Sequence, residues 1–389
     1  MTVPVNTLVV MYFESNIGYA IAPLERMFYR LGLQLGGDDP TSVHFAYRGM
    51  SKGPPETLPQ GAQAFSYDHL DSSSANIRWL ADYVRTHRIE LVVFFDRQPV
   101  GPIFRALRDA GARTILSYWG AEISGRNSGW KLALKRLEVG LSRSKLDGLI
   151  FESRAMADLA EFGRGVPRHM IDVVPLGVDI TRFDAARTDY VYDALSLPRD
   201  RQIIVYAGHM ESRKGVRTLI EAAINLLTVR GRTDVQFLLF GNKADESAPF
   251  EAMYAGLDIA QHIRFAGYRS DLARCFPGCF VGVIPSSGWD SFPRTSIELA
   301  ACGLPLVVSR LGGLPECIVD GETGFLFTPG DSRQLADRLE QLLDDNALAA
   351  RMGAAGRHRC EQEFTLAVQE ARMRAVIARR LGTAGICAS

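Results

Sequence analysis

One pattern constrains this chain more than any other: an alternation of strand-like and helix-like segments that runs through once and then begins again. In the first half, apolar runs stand at 7-TLVVMYF-13, 43-VHFAY-47, 90-ELVVFF-95, 113-RTILSY-118, 147-DGLIF-151 and 171-IDVVP-175. Between them lie helix-period segments such as 18-GYAIAPLERMFYRLG-32 and 76-NIRWLADYVRTH-87. A polar stretch, 184-DAARTDYVYDALSLPRD-200, interrupts the pattern. It restarts with runs at 202-QIIVYAG-208, 235-VQFLLFG-241, 280-FVGVIP-285 and 304-LPLVVS-309. Short β-branched runs separated by helices imply βαβ units and a parallel sheet. The expected fold is therefore α/β, with two Rossmann-like parallel-sheet domains. A chain of 389 residues accommodates two such domains. Ligands in sheets of this kind sit outside the carboxyl ends of the strands, so the expected site is a cleft between facing sheets.

Helix signals support the reading. In 214-KGVRTLIEAAINLLTVRG-231, Val216, Leu219, Ile220 and Ala223 form one apolar face. In 331-DSRQLADRLEQLLDD-345, Asp331 is the expected N-cap with Gln334 three positions on, and Leu335, Leu339, Leu342 and Leu343 make a stripe.

Charge and cysteine usage exclude some classes. Lys+Arg and Asp+Glu are both 44, without the basic excess of a nucleic-acid binder. Cys275, Cys279, Cys302, Cys317, Cys360 and Cys387 show no second Cys/His pair at zinc-finger spacing, so packed, reduced thiols are expected. The N-terminus has no Lys or Arg before Arg26 and reads as a first strand rather than a signal peptide. No run approaches the ~18 apolar residues of a membrane span. The expected location is the cytoplasm, with the inner membrane face as a further option.

The chemistry concentrates at two strand–helix turns. In 205-VYAGHMESRKGVRTLIEA-222 a strand ends at Gly208, the loop carries His209, Arg213 and Lys214, and Gly215 precedes a helix. A helix N-terminus with adjacent cations suits a phosphate group; a solvated basic loop is the plainer alternative. In 290-DSFPRTSIE-298 two carboxylates stand eight positions apart. Asp290 or Ser291 is the expected N-cap, with Pro293 in the first turn. Glu298 is then expected about two turns in, where a carboxylate suits a vicinal diol such as a ribose, or else pairs with a neighbouring element.

Together, in this order, these segments resemble the retaining glycosyltransferases of family 4, which have the GT-B fold. The family's G-R-L-x-x-x-K-G appears as 208-GHMESRKG-215, and its E-x7-E as Asp290 to Glu298. Further matching stretches are 177-GVDITRF-183, 300-AACGLPLVVSRLGG-313 and 315-PECIVDGETGFLFTPGD-331. The resemblance implies domains at 1–178 (acceptor side) and 179–365 (nucleotide sugar), with a C-terminal helix about 366–389 packing back on the first. It implies hinges near 178–200 and at the start of that last helix.

The resemblance also assigns roles. Lys214 holds the donor diphosphate, with Arg213 beside it; His209 stands where most members have arginine. Asp290 contacts the donor sugar and is one methylene shorter than the usual Glu. Backbone groups of Phe292, Arg294 and Thr295 line sugar and phosphate, and Glu298 binds the ribose. Gly267, Tyr268 and Arg269 lie in the base-contacting loop. Of the family's Gly-Gly turn after the first strand only Gly18 remains, and Trp119 replaces the histidine of a His-Gly pair. Trp119 either stacks on a sugar or belongs to the core; Asp96 and Glu122 are further candidates for acceptor hydroxyls.

The chain lacks a D-x-D motif, and the family needs no metal, so no metal and no cofactor beyond the co-substrate are expected. The basic segment 131-KLALKRLEVGLSRSK-145 carries five basic residues and one acid. With Leu132, Leu137 and Leu141 as its apolar side it packs on the core or lies on anionic lipid. The implied activity is retaining transfer of a hexose from a nucleotide diphosphate sugar, UDP-linked by expectation, to a glycan, lipid-linked or small-molecule hydroxyl. An inverting GT-B transferase, a nucleotide-sugar epimerase and a two-domain sugar-binding protein are the rivals. A dinucleotide enzyme needs G-x-G-x-x-G, and 13-FESNIGYA-20 has one glycine.

Overall fold

The computed structural model describes residues 4–18, 21–59, 62–121, 123 and 127–382. It divides into two compact units, one of residues 1–174 with 370–389 and one of residues 175–369. The chain passes between them twice, at 174/175 and at 369/370, inside the last helix, Leu366–Leu381.

The first unit holds a seven-stranded, all-parallel sheet. Its strands are β1 (Asn6–Val10), β2 (Val43–Tyr47), β3 (Gln63–Ser66), β4 (Ile89–Phe95), β5 (Thr114–Trp119), β6 (Gly148–Phe151) and β7 (Ile171–Val173). Their spatial order is β3-β2-β1-β4-β5-β6-β7. The central strands β2, β4 and β5 are buried almost throughout, as parallel strands covered on both faces must be. The edge strand β3, half exposed and only four residues long, escapes the sequence pattern because it has no continuous apolar run.

The second unit repeats the design with β8 (Gln202–Ala207), β9 (Val235–Phe240), β10 (Ile263–Phe265), β11 (Val281–Ile284), β12 (Leu306–Ser309) and β13 (Gly324–Phe327). The order is β10-β9-β8-β11-β12-β13, all parallel. The expected apolar faces are in place: Val216, Leu219, Ile220 and Ala223, and Leu335, Leu339, Leu342 and Leu343, all enter its core. Asp331 caps its helix by accepting from the Gln334 amide at 2.9 Å. The Gln334 side chain does not return to Asp331; it accepts from the Thr328 amide instead.

In both sheets the strand order reverses between the first strand and the fourth. Those switch points, β1/β4 and β8/β11, are where an open α/β sheet leaves a crevice at its carboxyl ends. The five described cysteines, Cys275 to Cys360, are all buried in the second unit.

Candidate functional site

The Gly208–Gly215 segment leaves β8 at the second switch point. Tyr206 donates its hydroxyl to the His209 carbonyl at 2.6 Å, which tightens the turn after Gly208. A short 3-10 turn, Ser212–Lys214, leads to Gly215, and the helix proper is Val216–Ile224. Gly215 has φ +71°, and a Cβ there would lie 1.8 Å from the Pro285 carbonyl oxygen. Only glycine fits, both for its backbone angle and for this contact. The Ser287 and Gly288 amides donate to the Arg213 carbonyl at 2.8 and 2.9 Å. The segment after β11 is thus bonded, backbone to backbone, against the segment after β8.

That contact brings the two predicted motifs together. The Lys214 ammonium lies 2.8 Å from Asp290 Oδ2, with the lysine side chain 16% and the aspartate 6% exposed. Ser286 donates its hydroxyl to the same carboxylate oxygen at 2.8 Å. The Ser309 hydroxyl at the end of β12 holds the Ser286 carbonyl at 2.6 Å. Gly313 donates to the Asp290 carbonyl at 3.1 Å. The carboxyl ends of β8, β11 and β12 therefore converge on one ion pair.

Asp290 does not cap the following helix, contrary to expectation. The helix is Arg294–Ala301, Pro293 stands at its N-cap, and no side chain caps it. Asp290 is occupied by Lys214 and Ser286, and at 3.2 Å by the Ser291 amide. As the first helical residues, Arg294 and Thr295 have amides with no acceptor inside the helix. Glu298 lies just over one turn in, rather than two, and is buried at 3% exposure. Phe292 is a core residue whose ring lies 5.3 Å from that of Phe364, which leaves only its backbone for a ligand. The Arg294 guanidinium holds the Gly177 carbonyl at 3.0 Å.

The other basic candidates are differently employed. Arg213 pairs with Glu211 at 2.7 Å and donates to the Trp289 carbonyl at 3.1 Å. His209 is exposed. Gly267, at φ +69°, donates to the Asn242 side chain at 2.8 Å, and Tyr268 is exposed. Arg269 is gripped two-pronged by Asp271, whose carboxyl this bond lowers to about 2. Its guanidinium is thus paired within the loop expected to contact the base.

The first unit has its own cluster at the β1/β4 switch point. Asp96, at φ +50°, accepts from the Gly120 and Ala121 amides at 2.9 and 3.2 Å and from the Tyr12 hydroxyl. Burial raises its pKa. The carboxylate thus ties together the loops after β1, β4 and β5. Trp119 is core: it is 3% exposed and its ring lies 6.3 Å from Phe151. Gly18, at φ +129°, is exposed. Glu122 lies outside the described residues. The sequence reading missed Ser286, Tyr12 and Glu152, the last of which accepts from the Tyr118 hydroxyl at 2.9 Å. Each lies within two residues of the end of a strand at the carboxyl edge, and that position was the available signal.

Two Rossmann-like sheets, the second carrying a cation and paired acids at its switch point, define the GT-B class. Solved structures bear this out. A glycosyltransferase from Rickettsia africae aligns with TM-score 0.79 at 18% identity, over 97% of this chain and 99% of that one. HepE from Anabaena, solved in complex with UDP, aligns with TM-score 0.77 at 16% identity, over 96% and 100%. Residues 201–345 match the family described as Glycosyl transferases group 1, and residues 42–177 match the Glycosyl transferase 4-like domain. The chain belongs to this glycosyltransferase family. D-inositol 3-phosphate glycosyltransferase of Corynebacterium diphtheriae is 30% identical over 193 residues, 48% of this chain and 45% of that protein. The chain spans about half the length of the curated relatives it matches.

Proposed function

We propose that this protein transfers a hexose from a UDP-sugar, with retention at the anomeric carbon, to a hydroxyl of a glycan, lipid-linked or small-molecule acceptor. Polysaccharide biosynthesis is the setting that such a reaction serves. The observation that carries the reading is the Lys214–Asp290 pair at the β8/β11 switch point, beside a helix start with free amides and a buried Glu298. A pyrophosphate takes the lysine and the amides, and a ribose diol takes the glutamate. HepE, a structural neighbour, has been solved with UDP and with UDP-glucose, which supports a uridine donor.

In this reading the bond from the anomeric carbon to the phosphate oxygen breaks while the acceptor oxygen bonds to the same face. The acceptor proton passes to the departing phosphate oxygen, so no protein nucleophile is needed. Lys214 and the helix N-terminus stabilise the charge that develops on the diphosphate. Before the donor arrives, Asp290 holds the ammonium in place; afterwards the lysine is shared with the phosphate. No metal is required, so EDTA should leave turnover unchanged, and a loss that Mg2+ or Mn2+ restores would overturn this part. Because a charged nucleotide sugar does not cross membranes, the reaction is assigned to the cytoplasmic side.

A thermal-shift screen of UDP-, GDP- and ADP-sugars tests the donor, and the anomeric configuration of the product tests retention. Glu298→Gln should weaken UDP binding by about 1–3 kcal/mol, the cost of losing hydrogen bonds to a charged acceptor, as measured by calorimetry. Equal affinity would remove Glu298 from the ribose site.

A further inference from the structure

The helix Gly129–Leu141 is attached to its unit by little of its surface; among its described residues only Val139 is buried. Trp130, Leu134, Leu137 and Leu141 are 69%, 55%, 57% and 78% exposed. Their spacing of four, three and four residues places them on one face. Val139 falls about half a turn away from that face. Leu132, expected on the same apolar side as Leu137 and Leu141, is instead half-buried on the packed side with Val139. The helix therefore has two apolar sides, one seated on the unit and one turned to solvent. A monomeric surface rarely leaves such a row of large apolar side chains uncovered.

The charges beside the row indicate what covers it. Among the described residues, Lys131, Arg136, Arg143 and Lys145 form no ion pair, and only Lys135 is neutralised, by Glu138 at 2.7 Å. Lys131 stands about a quarter turn from the row, and Lys135 and Arg136 stand a little over a third of a turn from it, one on each side. The segment is thus locally cationic within a chain of zero net charge. Pairing this face with its own copy would set cation against cation. Anionic headgroups suit it, with the apolar row dipping into the acyl boundary and the lysine and arginine stems reaching outward. Trp130, with the Lys131 ammonium 5.9 Å from its ring centre, is the residue type that settles at the headgroup level.

We infer that the exposed face of the helix Gly129–Leu141 docks the protein on an anionic lipid bilayer. This stands apart from the donor reading, and its test uses no donor. The full chain should co-sediment with vesicles of equal parts phosphatidylglycerol and phosphatidylcholine, less so as salt rises and little with phosphatidylcholine alone. Trp130→Ser combined with Leu134→Ser, Leu137→Ser and Leu141→Ser should lower the bound fraction by at least roughly tenfold at unchanged circular dichroism. Lys131→Glu with Arg136→Glu, a second surface variant, should do the same while preserving every apolar residue. Wild-type protein that stays in the supernatant, or serine variants that sediment like wild type, would overturn the proposal. So would concentration-dependent dimers without lipid that the serine substitutions abolish, since a second copy would then cover the face.

Discussion

Lys214→Ala should cut turnover by about two to three orders of magnitude, the usual cost of removing one preorganised charge from a transition state. The circular dichroism and thermal midpoint should change little. Asp290 keeps the Ser286 hydroxyl and the Ser291 amide after the ammonium is gone, so its carboxylate is not left bare in a buried place. Lys214→Arg retains the charge but not the reach or point geometry, and should recover only part of the rate. If the alanine variant turns over like wild type, the diphosphate is not held where proposed. Steady-state rates with the donor found by thermal shift decide it.

Gly215→Ala should be the most damaging single-methyl change in the second unit. The new Cβ meets the Pro285 carbonyl oxygen at 1.8 Å, and the backbone angle of +71° is one an alanine adopts only under strain. The left-handed conformation alone costs about 1–2 kcal/mol. Moving two bonded backbone segments apart adds to that, for a loss of roughly 3 kcal/mol or more. For a unit of this size the midpoint should fall by about 6–12 °C. Gly231→Ala is the internal control: its φ is +69°, yet no atom lies within 4 Å of the added carbon. It should show the conformational cost without the collision. Equal midpoints for the two variants would mean that the β8 and β11 segments are not locked as described. Because the same contact sets Lys214 against Asp290, Gly215→Ala should also weaken UDP binding, whereas Gly231→Ala should not.

Particular residues show where reading the chain succeeded. The strands β2, β4, β8 and β9 announce themselves as apolar runs, because a parallel strand covered on both faces needs apolar residues at every position. The strands β3 and β10 do not, since Gln63, Ser66 and Arg264 break their apolar runs. Lys214, Asp290 and Glu298 were legible as chemistry at strand ends. The pairing of Lys214 with Asp290 was not, because the two stand 76 positions apart and are brought together only by the parallel crossover. Asp290 looked like an N-cap since local rules favour a short acid before a helix; a tertiary partner, the buried ammonium, outcompeted the local one. The partners of Arg269 and Arg213, Asp271 and Glu211, were likewise seen only in the structure.

By itself, the order of residues determined two parallel-sheet units and the strand–helix turns that carry the acids and the lysine, because periodicity and turn chemistry are local properties. Only the tertiary structure decided which cation meets which carboxylate, that Trp119 belongs to a core, and that the row from Trp130 to Leu141 faces solvent. Those outcomes depend on what packs against each side chain from elsewhere in the chain, and no local pattern encodes a neighbour that far away.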